Sequence, residues 1–223
     1  MSFEIDLVTL FPAFFDSPLQ ESILKKAQQK GLVKIRIHNL RDYTHDRHKT
    51  ADDKPFGGGA GMLMKPEPIF ECVEAVRGKA WVILLDPRGR PLTQKVAREL
   101  AKKKHLVLIA GHYEGVDHRV REHLADDEIS IGDFITMGGE APALCLMESV
   151  IRLIPGVLGN RDSLKQESFQ SKGLEYPQYT RPRDFRGWKV PEVLVSGHHP
   201  QVEAWRKTVA RDVTKEKRPD LLK

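Results

Sequence analysis

The sequence predicts an α/β fold with a largely parallel sheet, because strand-like and helix-like segments alternate along most of its length. A second observation concerns three of these strands, which end in short loops that carry glycine. The loops are residues 86–89 (DPRG), 111–115 (GHYEG) and 132–139 (GDFITMGG). In a parallel sheet the carboxyl ends of neighbouring strands share one edge. We therefore expect the three loops to line a single crevice.

The segments can be assigned in order from the amino terminus. Residues 3–11 are apolar, as in a buried strand, and residues 17–30 form an amphipathic helix that ends before a glycine. Apolar and basic side chains alternate in residues 33–37, which is typical of a half-exposed strand, and a long polar loop follows at residues 41–61. Beyond the loop we assign helices to residues 67–77, 93–103, 117–124 and 140–154, and strands to residues 81–85, 106–110 and 128–131.

The character of the sequence changes near Gly159. Residues 160–172 are polar and charged and lack any period, which predicts a linker. Residues 173–223 are basic and contain proline, and they include an amphipathic helix from residue 201 to about residue 211. We therefore divide the chain into a main domain of residues 1–159, a linker and a small C-terminal domain.

The distribution of charge bears on the partner. The 223 residues carry a formal net charge of +5, with an isoelectric point near 9.1. A single basic run is usually a solvated surface, so this surplus alone is weak support for an anionic partner. Several basic runs lie beside aromatic residues, however, and together they favour nucleic acid. The runs are residues 41–54, 102–104, 161–172, 181–189 and 206–218.

The cysteines and the amino terminus indicate the compartment. Cys72 and Cys145 lie in apolar, helix-like stretches without metal-ligand spacing, which predicts reduced, buried thiols in a cytosolic protein. The first strand contains Glu4 and Asp6 and lacks a basic start, so it does not resemble a signal peptide. No apolar run is long enough to span a membrane. We expect a cytoplasmic protein.

The glycine-bearing loops match no standard nucleotide motif. No G-x-G-x-x-G opens a helix, and no G-x-x-x-x-G-K-[ST] is present. A ligand in the crevice must therefore be held mostly by backbone groups. In the polar loop His45, His48, Asp52 and Asp53 have a weakly metal-like spacing. Arg47 and Lys49 lie in the same stretch and would repel a metal ion, so this part of the loop favours contact with phosphate. We predict no metal site there.

Longer segments of the chain match a known family. They are LVTLFPAFF (residues 7–15), RDYTHDRHKTADDKPFGGGAGMLMKPEP (41–68), LDPRGRPL (85–92), AGHYEGVDHRV (110–120), EISIGDFITMGGEAPAL (128–144), IRLIPGVLGN (151–160), YPQYTRP (176–182) and VPEVLVSGHH (190–199). These segments follow the family order from one end of the chain to the other. On them, the chain resembles the bacterial tRNA (guanine-N1)-methyltransferases.

The resemblance implies a fold, an activity and a mode of assembly. The fold would be a SPOUT-type parallel sheet flanked by helices and tied in a deep trefoil knot, with a small, mostly helical C-terminal domain that binds tRNA. The activity would be methylation of N1 of guanosine 37, beside the anticodon, with S-adenosylmethionine as methyl donor and Mg²⁺ as an associated ion. The enzyme would be a homodimer whose active site lies between one subunit's knot and the other's C-terminal region.

The same resemblance assigns the cofactor contacts to the three loops. Glycines suit this role, because an adenine held by backbone groups requires side chains to be out of the way. For Gly89 and Gly115, turn geometry alone is the alternative. The implied contacts are Leu84, Leu85, Asp86, Pro87, Gly89, Gly111, Tyr113, Gly115, Ile131, Gly132, Asp133, Phe134, Ile135, Thr136, Gly138 and Gly139.

Catalytic roles are carried over to Glu167, Arg152 and Glu114. N1 of guanine carries a proton near neutral pH, so a base must remove it, and Glu167 aligns with an aspartate that serves as base in the family. Glutamate is one methylene longer than aspartate, and Asp162 is the rival base. Arg152 would stabilise negative charge on O6 or pair with Glu114, and the two roles are compatible.

The resemblance also implies how tRNA is held. Phosphate contacts would position it, and residues 160–172 would order over a flipped guanosine as a lid. Two other functions stay open: methylation of another base by an enzyme of the same knotted class, and RNA binding without catalysis. The implied RNA-binding residues are Arg41, Arg47, His48, Lys49, Lys54, Glu175, Arg181 and Arg183, and Glu175 again replaces a family aspartate.

Overall fold

The computed structural model describes residues 2–160, 164, 167–170 and 172–222. Within these residues the chain forms two compact units, and the boundary between them lies between Gly159 and Asn160. The predicted lid of residues 160–172 lies partly outside the described residues, so its behaviour stays a prediction. None of the described helices is both long and apolar enough to cross a membrane.

The first unit is α/β, as the sequence predicts. Short 3-10 helices at Pro12–Phe15, Pro18–Gln20 and Leu40–Tyr43 connect some of its elements. In chain order it contains β1 (Phe3–Thr9), α1 (Ser22–Gln29), β2 (Val33–Asn39), β3 (Asp52–Asp53), β4 (Leu63–Met64), α2 (Pro66–Arg77), β5 (Trp81–Pro91), α3 (Gln94–Leu100), β6 (His105–Ala110), α4 (His118–His123), β7 (Asp127–Ser130) and α5 (Glu140–Ile151).

A five-stranded sheet forms the centre of this unit. Its strands are ordered β2-β1-β6-β5-β7, and every neighbouring pair is parallel. Because these strands are parallel, each connection between successive strands of the sheet must cross over, and each contains a helix, α1, α2, α3 or α4 in turn. The short strands β3 and β4 pair with each other in a separate antiparallel ribbon.

Helices cover both faces of the sheet. Ile5 and Leu7 of β1 belong to a buried cluster with apolar residues of α1, α3 and α5. Val8, one position along, belongs to a second buried cluster with apolar residues of α2 and α4. Because side chains alternate between the faces of a strand, burial on both faces makes the central strands apolar almost throughout. This is the pattern from which the sequence predicts them.

The end of β5 differs from the sequence prediction. We expected the strand to end at Leu85, but it extends to Pro91. Ile129 of β7 is opposite Leu85 and again opposite Arg90, so the register shifts and residues 86–89 form an excursion between the two pairings. The excursion contains the predicted loop, so the glycine-bearing segment is present but lies inside a strand rather than after it.

Two other predictions require correction. The helix expected at residues 17–30 is interrupted, because Glu21 is extended (φ −118°, ψ 155°) and separates a 3-10 turn from α1. The prediction that both cysteines are buried is wrong for Cys145, which is exposed on α5, whereas Cys72 is buried. Helix α5 is apolar on most sides, so its composition does not reveal which face is uncovered.

The second unit contains β8 (Asp184–Phe185), β9 (Trp188–Lys189), α6 (Glu192–Val195), α7 (His199–Lys217) and a 3-10 turn at Pro219–Leu222. Helix α7 is longer than the predicted residues 201–211. It starts earlier because Pro200 fits the first helical turn, where its missing N–H is not needed. Val202, Trp205 and Val209 are partly buried, on the face that the periodicity predicts.

Candidate functional site

The three glycine-bearing segments surround one cavity of about 640 Å³. Of the residues predicted to contact a cofactor, all but Gly89 and Asp133 line it. Those that do are Leu84, Leu85, Asp86, Pro87, Gly111, Tyr113, Gly115, Ile131, Gly132, Phe134, Ile135, Thr136, Gly138 and Gly139. The other lining residues are Leu63, Arg88, His112, Glu114, Val116, His118, Ile129, Ser130, Met137 and Pro142.

The excursion of β5 forms one wall of the cavity. Asp86 lies within it, and Arg88 donates two hydrogen bonds of 2.9 Å to the Asp86 carboxylate. These hydrogen bonds lower the pKa of Asp86, although its burial acts in the opposite direction. The ion pair therefore joins two residues of the excursion at the cavity wall.

Gly89 has a structural task instead of a lining position. A Cβ built on it would lie 2.4 Å from the backbone nitrogen of Ile129 and 2.5 Å from the carbonyl carbon of Glu128. Only glycine allows two backbones to approach this closely. Gly89 is therefore required because the end of β5 passes directly against the backbone of Glu128 and Ile129, which precede the third loop.

A second close crossing joins the other two loops. The N–H of Gly139 donates a 2.6 Å hydrogen bond to the carbonyl oxygen of Gly111, and His112 forms an isolated antiparallel bridge with Gly138. A Cβ on Gly139 would lie 2.7 Å from the Cα of Ala110. The base of the cavity is thus made from main-chain groups that pass each other in van der Waals contact.

A buried carboxylate lies behind this crossing. Glu140, the first residue of α5, is 4% exposed, and it accepts a 2.8 Å hydrogen bond from the hydroxyl of Thr9. Its other oxygen, Oε2, is 3.6 Å from Nδ1 of His112, which is buried and has no hydrogen-bond partner. The His112 ring contacts the rings of Phe11 and Tyr113, at centroid distances of 4.6 and 5.0 Å. His112 therefore links Glu140 to the cavity wall.

The mouth of the cavity is apolar and uncovered. Phe134, Ile135 and Met137 are 57%, 79% and 94% exposed. Asp133, also in this segment, is exposed but does not line the cavity. Large exposed apolar side chains beside a cavity are typical of a surface that is covered during function.

The polar loop reaches the same cavity through Gly61. A Cβ on Gly61 would lie 2.5 Å from Oε1 of Glu114, so the Glu114 carboxylate packs directly on the glycine backbone. The N–H of Glu114 donates a 3.0 Å hydrogen bond to the carbonyl oxygen of Met62. The glycine-rich end of the polar loop therefore positions Glu114 at the cavity.

Comparison with known proteins identifies the family. The family model for tRNA (guanine-1)-methyltransferase TrmD matches residues 3–223. The chain belongs to this family. It is 58% identical over 221 residues to a tRNA (guanine-N(1)-)-methyltransferase of Gloeobacter violaceus, and the match covers 98% of this chain and 97% of the relative. Proteins of the same name from Dehalococcoides mccartyi and Geobacillus kaustophilus are 56% and 57% identical, with 98% of this chain and 90% and 91% of those relatives covered.

The residues to which the family resemblance assigns catalysis lie in both units. Glu114 is in the first unit and lines the cavity. Arg152 follows the last residue of α5, is partly buried, and is not among the residues that line the cavity. Glu167 is in the second unit and is partly buried, whereas the rival Asp162 lies outside the described residues. The assignment of these residues to catalysis stays a prediction.

The family resemblance assigns RNA contacts to the polar loop, and the loop is held by its own hydrogen bonds. Asp46 accepts hydrogen bonds from the backbone N–H groups of His48 and Thr50. Hydrogen bonds from Thr50 lower the pKa of Asp46. Arg47 and His48 are exposed, as are Lys49 and Lys54. Arg41, partly buried, donates to the carbonyl oxygen of Lys49 at 3.0 Å.

Histidine and carboxylate side chains of this loop make contacts with other side chains. The described residues contain no group of three or more histidine, cysteine, aspartate or glutamate side chains arranged to hold an ion. His45 instead contacts the carboxylate of Glu71, at 2.9 Å from Nε2 to Oε2. The side chain of Lys49 lies 3.6 Å from Asp42.

The remaining RNA-binding candidates are in the second unit. Arg181 and Arg183 are exposed, and Arg183 forms a 2.5 Å ion pair with Glu192. Glu175 is exposed, and its backbone N–H donates a 3.0 Å hydrogen bond to the hydroxyl of Ser168. The structure therefore places cations on the surface of each unit.

Sequence reasoning missed His112, Met137 and the buried role of Glu140. His112 and Met137 lie inside loops that were predicted to bind, so their position in those loops was an available signal. The sequence predicts that Glu140 begins α5, and the structure confirms it. Its burial against Thr9 depends on contact between residues far apart in the chain, and no local pattern reports that contact.

Proposed function

We propose that the protein transfers a methyl group from S-adenosylmethionine to N1 of guanosine 37 in tRNA, next to the anticodon, and that it does so in the cytoplasm. The observation that carries this proposal is the cavity at which the three glycine-bearing segments meet, in a chain of the tRNA (guanine-1)-methyltransferase family. Family membership supplies the reaction, and the cavity supplies a place for the donor.

The cavity suits the donor in size and in lining. About 640 Å³ lies within the range of 300–1,000 Å³ that is usual for small-molecule sites. Gly111, Gly138 and Gly139 present backbone groups without side chains, and Leu84 and Pro142 add apolar surface. Such a lining holds an adenine by backbone hydrogen bonds and apolar contact. Bound there, S-adenosylmethionine would supply an electrophilic methyl carbon.

Backbone crossings support the knotted form of the fold. At Gly89 and at Gly139 the chain passes so close to another backbone segment that a Cβ would lie within 2.4 and 2.7 Å of main-chain atoms. A chain threaded through its own loop must make such passages, and we propose that they belong to the trefoil knot of this class. We further propose a homodimer, in which the exposed residues Phe134, Ile135 and Met137 are covered by tRNA or by the second subunit.

The chemistry assigns a role to each catalytic candidate. Glu167 would accept the N1 proton of guanine as general base, and loss of that proton would free the N1 lone pair that takes up the methyl group. Arg152 would donate hydrogen bonds to O6, where negative charge develops. Glu114, which packs on the backbone of Gly61, would orient the guanine or hold an associated Mg²⁺. Mg²⁺ usually binds through one or two carboxylates and several waters, so the absence of a larger ligand group among the described residues is compatible with it.

The proposed tRNA contacts follow from charge. Exposed cations at Arg47, Lys49, Lys54 and Arg181 would bind phosphates without reading sequence. Residues 160–172 would close over the flipped guanosine as a lid. Closure of this kind excludes water from the reacting groups and completes the catalytic site. In this scheme the polar loop and the C-terminal unit hold the RNA, and the cavity holds the donor.

The test is methylation of paired tRNA transcripts. Wild-type protein, labelled S-adenosylmethionine and two transcripts that differ only at position 37 (guanosine or adenosine) should give 1-methylguanosine with the first and no product with the second, by mass analysis of nucleosides. Methylation at another position would indicate the other enzyme of the same class. Binding of tRNA and of the donor without any product would indicate an RNA-binding relative.

A pair of variants tests the proposed base. Glu167→Gln should lower kcat by about 10²-fold or more, which is the usual worth of general base catalysis, and should leave donor affinity unchanged. Asp162→Asn is the matched control and should retain activity. If the two results are exchanged, the base is Asp162 and the proposed alignment across the linker is wrong.

A further inference from the structure

The β8–β9 hairpin of the second unit has a rigid, preformed turn. Its two central residues, Arg186 and Gly187, have φ of +58° and +85°. Positive φ at both positions is typical of a type I′ turn, which matches the twist of a two-stranded ribbon. The side chain of Asp184 accepts a 2.9 Å hydrogen bond from the N–H of Gly187, and the N–H of Val190 donates a 2.9 Å bond to the carbonyl oxygen of Arg183.

Two aromatic rings are displayed side by side on this hairpin. Phe185 and Trp188 are directly opposite each other in the strand pair. Their ring centroids are 6.0 Å apart at an interplanar angle of 49°. Phe185 is 52% exposed and Trp188 is 71% exposed. A pair of large rings on a fixed turn, outside any core cluster, is a surface suited to contact with a flat partner.

Positive charge surrounds the two rings. Residues 181–189 contain Arg181, Arg183, Arg186 and Lys189, with Asp184 as their single acidic residue. Arg183 pairs with Glu192, so the surplus positive charge comes from Arg181, Arg186 and Lys189. The carboxylate of Asp184 is engaged in the turn. The guanidinium carbon of Arg186 lies 5.1 Å from the centroid of the Phe185 ring. The surface therefore complements a partner that combines flat rings with negative charge, and a nucleic acid single strand has both.

We propose that Phe185 and Trp188 form a stacking platform for an unpaired base of the RNA substrate, and that Arg181, Arg186 and Lys189 bind the adjacent phosphates. This inference rests on the proposed tRNA substrate and adds a specific contact to it. Phe185 and Trp188 do not line the cavity, so we expect the platform to affect how the RNA is held and not how the donor binds. Stacking tolerates any base, so the platform adds affinity and orientation without reading sequence.

The experiment compares ring-deleting and ring-retaining variants of the full-length protein. Trp188→Ala should raise the Kd for a tRNA transcript by about tenfold, since one base stacked on an aromatic side chain contributes in that range. Trp188→Phe should stay within about threefold of wild type, because it keeps a ring. Ile23→Ala on α1 is the matched control for loss of an exposed apolar side chain, and it should leave tRNA affinity unchanged.

Three further readouts distinguish base stacking from donor binding, from phosphate contact and from subunit assembly. The Kd for S-adenosylmethionine, measured by calorimetry, should be the same for wild type and Trp188→Ala. Arg186→Ala combined with Lys189→Ala should reduce the slope of log Kd against log salt, whereas Trp188→Ala should leave the slope unchanged. Sedimentation should show the same assembly state for Trp188→Ala as for wild type.

Several results would overturn the platform. Unchanged tRNA affinity in both Trp188→Ala and Phe185→Ala would do so, and so would dissociation of an oligomer in Trp188→Ala, which would assign the rings to a second copy of the chain. Failure of the proposed function is distinguishable, because a wild-type protein that binds tRNA but forms no 1-methylguanosine still permits the affinity comparison.

Discussion

Asp6 and Glu140 are both buried carboxylates of the first unit, and their surroundings differ sharply. Asp6 lies in the middle of β1, with its side chain 0% exposed, and Glu140 lies at the start of α5. Asp6 is surrounded by an arginine and two histidines, whereas Glu140 has one hydroxyl donor and a histidine nitrogen just beyond hydrogen-bond distance. Asp6, which has several hydrogen-bond partners, is remote in sequence from the residues that line the cavity. Glu140, which has fewer, directly follows one of them, Gly139.

The Asp6 cluster is a fully hydrogen-bonded network. Arg36 donates two hydrogen bonds of 2.7 Å to its carboxylate, and Nε2 of His38 and of His105 lie at 2.6 and 2.5 Å. An ionised carboxylate only accepts, so both histidines must carry a proton on Nε2. Burial of Asp6 by itself raises its pKa, but the hydrogen bonds from Arg36 and the two histidines outweigh burial and hold the pKa well below its ordinary value. The network ties β1 to β2 and β6.

The contrast indicates a division of tasks. A buried charge with all its partners contributes to the integrity of the sheet, and removal of one partner leaves the others uncompensated. A buried carboxylate with spare capacity, next to an unpartnered His112 nitrogen and a cavity, is an arrangement that ligand binding can complete. We therefore expect substitutions at Asp6 to change stability, and substitutions around Glu140 to change donor affinity.

The largest effect should come from Asp6→Ala. The substitution takes a buried acceptor away from Arg36, His38 and His105, which are partly buried, and leaves Arg36 paired with Glu4. Unsatisfied donors of this kind typically cost about 1–3 kcal/mol, and more when they are charged, so we expect a loss of about 3 kcal/mol. Urea denaturation should show this as a lower free energy of unfolding. Glu4→Gln is the matched control, since Glu4 also contacts Arg36 (2.6 Å) but is partly exposed, and it should cost less than about 1 kcal/mol. Equal losses in the two variants would contradict the division.

Acid should destabilise the protein through the same residue. The pKa of Asp6 is lower in the folded state than its ordinary value of 3.8, so the ionised group stabilises the fold above about pH 4. As pH falls below 4, the unfolded chain takes up a proton that folded Asp6 does not, and the free energy of unfolding should fall by about 2 kcal/mol by pH 2 to 3. Denaturation at several pH values should show a steeper acid loss for wild type than for Asp6→Asn.

Gly138→Ala should weaken donor binding by about tenfold or more. A Cβ there would lie 2.3 Å from Nδ1 of His112 and 2.4 Å from Oε2 of Glu140, so one of these groups must move and the cavity wall moves with it. Gly159→Ala is the matched control, because nothing lies within 4 Å of its Cβ position. Calorimetry with S-adenosylmethionine gives the affinity of each variant. If Gly138→Ala binds the donor as tightly as wild type does, His112 and Glu140 do not support the cavity wall.

The smallest effect should come from Glu140→Gln. The amide keeps the shape and the hydrogen bond from Thr9 but removes the charge beside His112. We expect donor affinity to fall about fivefold, which corresponds to about 1 kcal/mol, with little change in unfolding free energy. Asp6→Asn should give the reverse pattern. If Glu140→Gln changes stability and leaves affinity intact, Glu140 is only a structural acceptor.

The sequence predicts the fold of the first unit well because burial on both faces makes its central strands apolar, and that is a local signal. It also predicts the loops around the cavity, since strand ends in a parallel sheet share an edge. It does not predict the path of residues 86–89 inside β5, which depends on pairing with β7. The close crossings at Gly89 and Gly139 are likewise set by distant segments, and periodicity does not report them.

For the site, the resemblance identified most lining residues, and the physical reasons came from the structure. The cofactor contact of Gly89 stays a prediction; in the structure Gly89 makes a close backbone crossing and does not line the cavity. The Glu140–His112 contact joins residues that are distant in sequence, so no motif indicates it. The exposure of Cys145 was missed because α5 is apolar nearly all round, and a helix of that composition gives no sign of its uncovered face.

The contrast between the two cysteines offers a practical handle. Burial raises the pKa of the Cys72 thiol to about 12, while Cys145 is exposed. A maleimide dye at neutral pH should therefore attach at Cys145 alone. The emission of the dye would then report the binding of a partner to the exposed face of α5, without an engineered cysteine.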